Sequence, residues 1–388
     1  MSESEYKSFP RLEYEKRWSR AQEQMEKERL DALFITEPLN YNYFGGASPS
    51  FSYARWTIVV FPKDGKPTLI AHQFVEESTR RETWIENIKI YKSLAEAPMD
   101  EIKQVFKEHG LTKGKVGTEL GYEQRYGMSY NDFLKLKKTL PQVKFVDASS
   151  TFWKLRMIKS EAEAALLRKS CEVTSQAYEE CFETIEEGMT EKEVEKTFLS
   201  AMANRGATRP WCFINSSPIN YPVISGAPTI QKLKKGNTVW IDGGCNYGGY
   251  WSDFCRVGSV GKASEKQRKM HETTLKLTHL CIDMIKPRVK VAEIAKVCEK
   301  EAKKMGVELT FRAGRYGHGI GLMLTEPPHI ATYDRTVLEP GMTITIEPGF
   351  VTNYGVFQNE ENILVTQKGH EILSKASTGL HQIGSKAS

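Results

Sequence analysis

Five residues of this chain have the types and local settings to hold divalent cations. The stretch 240–256 carries Asp242 and Asp253 on either side of a glycine-rich turn. Residues 237–241 are apolar and β-prone, Gly248-Gly249 signals a turn, and 250–257 reads as a returning strand. A hairpin of this kind can present both carboxylates on one face, where they repel unless a proton or a cation lies between them. Further along stand His318 in Gly317-His318-Gly319-Ile320-Gly321, Glu347 in Ile-Glu-Pro-Gly and Glu361 in Glu-Glu-Asn-Ile-Leu-Val. Glu347 and Glu361 belong to β-prone runs, 343–347 and 361–366, around a turn at 352–355. Two Asp, one His and two Glu make a donor set for two hard-to-borderline divalent metals. Each residue alone has a plainer role, as a turn cap, a loop His or a solvated turn Glu. Two hairpins with a carboxylate pair each, and a His on a third segment, are not explained as surface decoration.

These residues need elements to hold them. Residues 11–30 have apolar positions at helical spacing, 31–36 form a short strand, and 40–46 is an aromatic turn region. Runs 56–62 and 66–71 are strands joined by the hairpin signal Lys63-Asp64-Gly65. Helix 98–109, strand 115–119, helix 130–139 and strand 143–146 complete an α/β layer domain ending near Ser150. Residues 152–160 read as a link. A long helix then spans 160–186, and Thr190 with Glu193 forms a capping box opening a helix that ends near Gly206. The pattern recurs: a helix over 264–285, a break at Pro287, and a helix from Val291 to near Gly306. We read this as a weak internal repeat. Its first copy feeds the two aspartates, its second His318, Glu347 and Glu361. The tail after Ser374 is small, polar and expected to fray.

Composition narrows the function classes. At 388 residues the chain accommodates two domains with full cores. Its 54 basic and 49 acidic residues leave a net charge of +5 without a long basic run, which gives no support for nucleic-acid binding. The first residues lack the apolar core of a secretory signal, and no apolar run approaches the ~20 residues of a membrane span. The seven cysteines are odd in number and none form Cys-x-x-Cys. They fit reduced thiols in a cytoplasmic protein. Strand alternation turns Cys255 to the side of Asp253.

With these motifs in place, the sequence resembles the pita-bread metallopeptidases, a family including methionine aminopeptidase, aminopeptidase P, prolidase and the non-peptidase creatinase. Leu155-Arg156-Met157-Ile158-Lys159-Ser160 and Leu338-Glu339-Pro340-Gly341-Met342 are further matches. The resemblance implies an α+β fold: a creatinase/prolidase-type α/β domain over 1–155 and a pita-bread catalytic domain over 156–388. It implies that Asp242 chelates one metal, that Asp253 and Glu361 bridge both, and that His318 and Glu347 hold the other. Glu347 would double as proton shuttle. The two divalent ions, drawn from manganese, iron, cobalt or zinc, would activate a shared water toward an amide-type C–N bond. A small molecule or Xaa-Pro dipeptide as substrate and a homodimer are implied as well; nucleic acid and membrane are not.

The sequence also departs from the family pattern. Where the peptidases carry a His shortly before the first metal Asp, this chain has Ser225; where they carry a His seven residues after the metal His, it has Thr325. Those histidines contact substrate and stabilise the tetrahedral intermediate, and neither Ser nor Thr can carry a positive charge. The Arg two before the last Glu is Asn359 here. Non-peptidase relatives on the fold, creatinase, ectoine hydrolase and dimethylsulfoniopropionate lyase, offer an alternative, although those lyases place an extra carboxylate where Gly244 stands. A catalytically silent binding module is a third reading, opposed by the retained ligand set. Substrate-side candidates are Trp211, Arg315, Tyr316, Ser225 and Thr325, with Arg209, Tyr221, Tyr250 and Trp251 behind them.

Overall fold

The computed structural model describes residues 7–46 and 56–384. The chain divides into two compact units, Met1–Arg156 and Met157–Ser388. In the first, helix α1 (Arg11–Glu28) buries Tyr14, Arg17, Trp18, Ala21 and Met25, spaced to lie on one face. Strands β1 (Ala32–Ile35), β2 (Ile58–Pro62), β3 (Thr68–His72), β4 (Asn87–Tyr91), β5 (Gly114–Thr118) and β6 (Val143–Asp147) form one sheet in the order β4-β3-β2-β1-β5-β6. β1 runs antiparallel to β2 and parallel to β5, and β2–β3 is the expected hairpin. Four segments differ from the sequence reading. The aromatic region at 40–46 is largely helix, Pro38–Gly45: Pro38 occupies its first turn and the Glu37 side chain caps it by accepting from Asn40 N. Residues 76–82 and 87–91, left unread, form a helix and β4. The supposed link is mostly helical, over Ser149–Met157, with Phe152, Trp153 and Leu155 buried.

In the second unit, two helices precede each of two sheets. Glu161–Thr184 and Glu191–Ala203 open with capping boxes at Ser160/Glu163 and Thr190/Glu193. They lead into β7 (Arg209–Asn215), β8 (Thr238–Tyr247), β9 (Tyr250–Trp251) and β10 (Phe254–Val260). Glu265–Ile282 and Val291–Lys304 follow. They lead into β11 (His318–Gly319), β12 (Glu326–His329), β13 (Thr343–Ile346), the ribbon β14 (Gly349–Thr352) and β15 (Gly355–Gln358), β16 (Glu361–Val365) and β17 (His370–Ile372). With β18 (His381–Ile383), the sheet orders are β18-β10-β8-β7 and β12-β11-β13-β16-β17. The tail does not fray where it is described: β18 (His381–Ile383) pairs in parallel with β10, and Ile383 is fully buried. All seven cysteines are free and buried. No helix among the described residues is long and apolar enough to cross a membrane.

Candidate metal centre and active site

Register brings the first two carboxylates together. Gly248 and Gly249, both with positive φ, close the two-residue turn between Tyr247 and Tyr250. Cys255 then faces Asp242, and Trp251 faces Asn246, so the same ladder sets Asp253 opposite Gly244 and on the face of Asp242. Gly244 is required there: a Cβ would lie 1.9 Å from Ser252 O. A carboxylate side chain at this position, as in the lyases, has no room.

The second sheet supplies the rest. His318 sits between Gly317 and Gly319, whose Cβ atoms would each fall 2.1 Å from a backbone carbonyl, Thr345 O and Pro327 O respectively. The glycines let the His backbone wedge between neighbouring strands. His318 Nδ1 lies 2.9 Å from Gly319 O and so carries the proton, which leaves Nε2 as the lone-pair face. That Nε2 is 3.3 Å from Asp253 Oδ2 and 3.9 Å from Glu347 Oε1.

At the last ligand position the structure corrects the sequence reading. β13 pairs with β16 so that Ile346 faces Glu361; the next pair along is Glu347 with Glu360. Successive residues alternate faces, so Glu360 joins Glu347 while Glu361 turns away. One donor atom each of Asp253, His318 and Glu360 lie within 4.8 Å of one another. Glu361 is instead engaged elsewhere. Its Oε2 pairs with Arg256 Nη2 at 3.1 Å and accepts from Ser374 Oγ, and its Oε1 accepts from Asn359 Nδ2 at 3.0 Å. The position two before the site glutamate is therefore Gln358, not Asn359, and Gln358 Nε2 donates to Glu347 O at 3.2 Å.

The residues gathered are thus Asp242, Asp253, His318, Glu347 and Glu360. Burial first, and then the neighbouring Asp253 charge, raise the Asp242 and Glu360 carboxyls well above the usual range. Burial pushes Asp253 and Glu347 up to about 7, with Arg315 opposing both shifts and His318 opposing that of Glu347. Asp242 Oδ1, Glu347 Oε1 and Glu360 Oε1 are buried without a hydrogen bond. Orphaned buried carboxylate oxygens are costly, and a divalent cation satisfies several at once. Four carboxylates and one imidazole lone pair therefore fit hard-to-borderline cations.

Two supporting residues escaped the sequence reading. Buried Arg256 donates to Glu360 O at 2.9 Å while pairing with Glu361, so it fixes which glutamate enters the cluster. Its signal is a lone base in a run, Phe254–Val260, buried throughout. Asn362 Oδ1 accepts from Asp253 N at 3.0 Å. Cys255 lies beside Asp242 and Glu360, and burial pushes its thiol far up, which keeps it unreactive.

The substrate-side candidates scatter. Trp211 lies two residues from Phe213, which faces Asp242, so the indole shares the carboxylate face; its Nε1 is buried with no hydrogen bond. Arg315 reaches Thr325 Oγ1 at 3.4 Å and approaches Glu347 Oε1 at 3.8 Å. Tyr316 instead gives its hydroxyl to Glu299 at 3.1 Å. Both line a cavity of about 340 Å³ with Glu299, Phe311, Arg312 and Tyr333. Ser225 is exposed on a loop whose flanks, Ser216, Asn220 and Thr229, all donate to the buried Glu191 carboxylate. Arg209 is exposed. Tyr250 donates to Glu163, Trp251 donates to Leu322 O, and Tyr221 accepts from Thr238 N, so the polar tips of these three are engaged within the fold.

Residues 165–367 match the model of metallopeptidase family M24, and residues 17–158 match the creatinase/prolidase N-terminal domain. The Xaa-Pro dipeptidase of Pyrococcus furiosus is 31% identical over 360 residues, covering 92% of this chain and 97% of that protein. The prolidase structure from Pyrococcus horikoshii superposes with a TM-score of 0.82 at 28% identity, covering 93% of this chain and 99% of that one. An Xaa-Pro dipeptidase structure from Bacillus anthracis, 24% identical, shares the fold with a TM-score of 0.84 over 95% of this chain and 99% of that one.

Proposed function

The chain belongs to metallopeptidase family M24, with the α+β pita-bread fold and a creatinase-type N-terminal domain, and from that premise we propose that it cleaves Xaa-Pro dipeptides at a centre of two divalent ions. The observation that carries the reading is the buried cluster of Asp242, Asp253, His318, Glu347 and Glu360 with its donor-less carboxylate oxygens. Asp242, Asp253, His318, Glu347 and Glu360 would together hold the ions. Bound ions supply Lewis acidity and a water nucleophile at neutral pH. The oxygen-rich set with a single imidazole suits Mn(II) first among Mn, Fe, Co and Zn.

The chain's own residues do the rest. Gly319 O fixes the His318 tautomer, so the ring presents a lone pair. Glu347, buried between His318 and Arg315, would take a proton from water and return it to the leaving nitrogen. Arg315, 3.8 Å from Glu347 Oε1, also borders the 340 Å³ cavity, whose lining includes none of the five cluster residues. Free buried cysteines support a reducing, cytoplasmic setting. A homodimer is carried by family resemblance, and sedimentation velocity tests it.

The test of the substrate is turnover of Xaa-Pro dipeptides by protein reconstituted with each metal. Methylated amines, sulfonium compounds and cyclic amidines run in parallel. Release of free proline supports the reading. Turnover confined to the non-peptide compounds refutes it.

A further inference from the structure

Resting on the peptidase reading above, we infer that Arg315 is the cationic donor to the scissile carbonyl oxygen and that His329 is the residue that positions it. The guanidinium is held on two edges. Nη1 donates to His329 Nδ1 at 3.0 Å, and Nη2 donates to Thr325 Oγ1 at 3.4 Å. Its third edge is left open: Nε lies 3.8 Å from Glu347 Oε1, beyond hydrogen-bond range. Both Arg315 Nε and Glu347 Oε1 are buried and make no hydrogen bond. An unused donor and an unused acceptor thus face each other at the edge of the carboxylate cluster.

His329 suits the positioning role. Arginine has no acceptor, so His329 Nδ1 must accept from it, which fixes the imidazole tautomer. The ring is 4% exposed, and the backbone N–H of His329 donates to Asp334 Oδ2 at 2.8 Å. Arg315 itself is 21% exposed and borders the 340 Å³ cavity, so a substrate entering there meets it. The Arg315 charge is also felt within the cluster, where it favours the ionised forms of Asp253 and Glu347.

The chemistry calls for such a group. As a water oxygen bonds to the amide carbon, the carbonyl electron pair moves onto oxygen and the water proton passes to Glu347. On collapse the pair returns, the C–N bond breaks, and the nitrogen takes the proton from Glu347. The carbonyl oxygen is anionic only between these events. A fixed N–H aimed at it stabilises that interval more than the ground state. Ser225 is exposed, and the Thr325 hydroxyl is already engaged by Arg315, so neither supplies the charge.

The test uses metal-loaded protein with Ala-Pro and its C-terminal amide, and reads kcat, KM and metal content. Removing one such donor costs ~10²–10³ in kcat. Arg315→Ala should lose about that much on both substrates, with KM within about 3-fold of wild type and full metal content. Millimolar guanidinium should restore part of the rate. His329→Asn, which keeps an acceptor near Nδ1, should stay within about 10-fold of wild type, whereas His329→Leu should fall toward Arg315→Ala. A raised KM with unchanged kcat, seen for the free dipeptide but not the amide, would overturn the inference and make Arg315 a carboxylate clamp. Loss of metal from both Arg315→Ala and Arg315→Lys would overturn it too. Wild-type turnover of Ala-Pro in the same assay tests the peptidase reading separately, and an inert wild type sinks both.

Discussion

Glu360 and Glu361 are adjacent and chemically identical, yet their loss should have opposite consequences. Glu361→Gln removes the charge paired with Arg256, whose side chain is 1% exposed against 4% for Glu361. Breaking one side of a buried pair costs ~3–5 kcal/mol. Arg256 keeps carbonyl partners at Cys255, Glu360 and Ala376, so the lower end, about 3 kcal/mol, is expected. Glu360→Gln instead removes a charge crowded by Asp242, Asp253 and Glu347. The metal-free protein should then gain on the order of 1 kcal/mol, the worth of less than one pKa unit of relieved repulsion. Metal binding should respond the other way, with Glu360→Gln losing at least one ion and Glu361→Gln keeping its full complement. Urea unfolding of chelated protein reads the first effect, and elemental analysis after reconstitution reads the second. Loss of metal from Glu361→Gln at unchanged stability, with metal retained in Glu360→Gln, would place Glu361 rather than Glu360 in the cluster.

Two further perturbations test the scaffold. Lys159 Nζ and Glu326 Oε2 pair at 3.3 Å with both side chains at most 2% exposed, so Lys159→Met should cost ~3–5 kcal/mol in urea unfolding, and adding Glu326→Gln should recover much of it. In the first unit, burial and the Glu37 charge push Glu119 up to about 7, while backbone donors at Thr36 and Glu37 pull it down. The folded state then holds this proton more tightly than the unfolded chain, so its stabilising contribution is complete below the unfolded pKa of ~4.3 and is lost as pH rises toward 7. That loss is about 4 kcal/mol at most, and the hydrogen-exchange protection factors in β1 and β5, corrected for the base-catalysed intrinsic rate, should fall between pH 5 and 7.5 in wild type but much less in Glu119→Gln.

Much of this was legible in residue types and spacing, and the failures have physical causes. Asp242 and Asp253 could be set on one face because Gly248-Gly249 fixes a two-residue turn and hence the register. The repeated helix, helix, sheet order was readable from its capping residues, Thr190 with Glu193 among them. The glutamate doublet was not, because residue type cannot choose between neighbours that point to opposite faces. The deciding contacts, Arg256 to Glu361 and the step from Ile346–Glu361 to Glu347–Glu360, join segments about a hundred and about fifteen residues apart. The helix Pro38–Gly45 hid for a different reason: its Asn and Gly content reads as a turn, and only Pro38 with the Glu37 cap shows where it starts. Tyr250 and Trp251 read as aromatic contacts for substrate, but their polar tips serve Glu163 and Leu322 O, an outcome that needs the tertiary fold.

As proposed, Asp242, Asp253, His318, Glu347 and Glu360 together would hold the ions that peptidase activity needs. The most direct measurement titrates Mn(II) into chelated protein and follows bound metal and Ala-Pro hydrolysis on the same sample. Turnover should climb with occupancy, saturate near two equivalents per chain, and vanish in Asp253→Ala. Hydrolysis that persists in the chelated protein or in Asp253→Ala would contradict it.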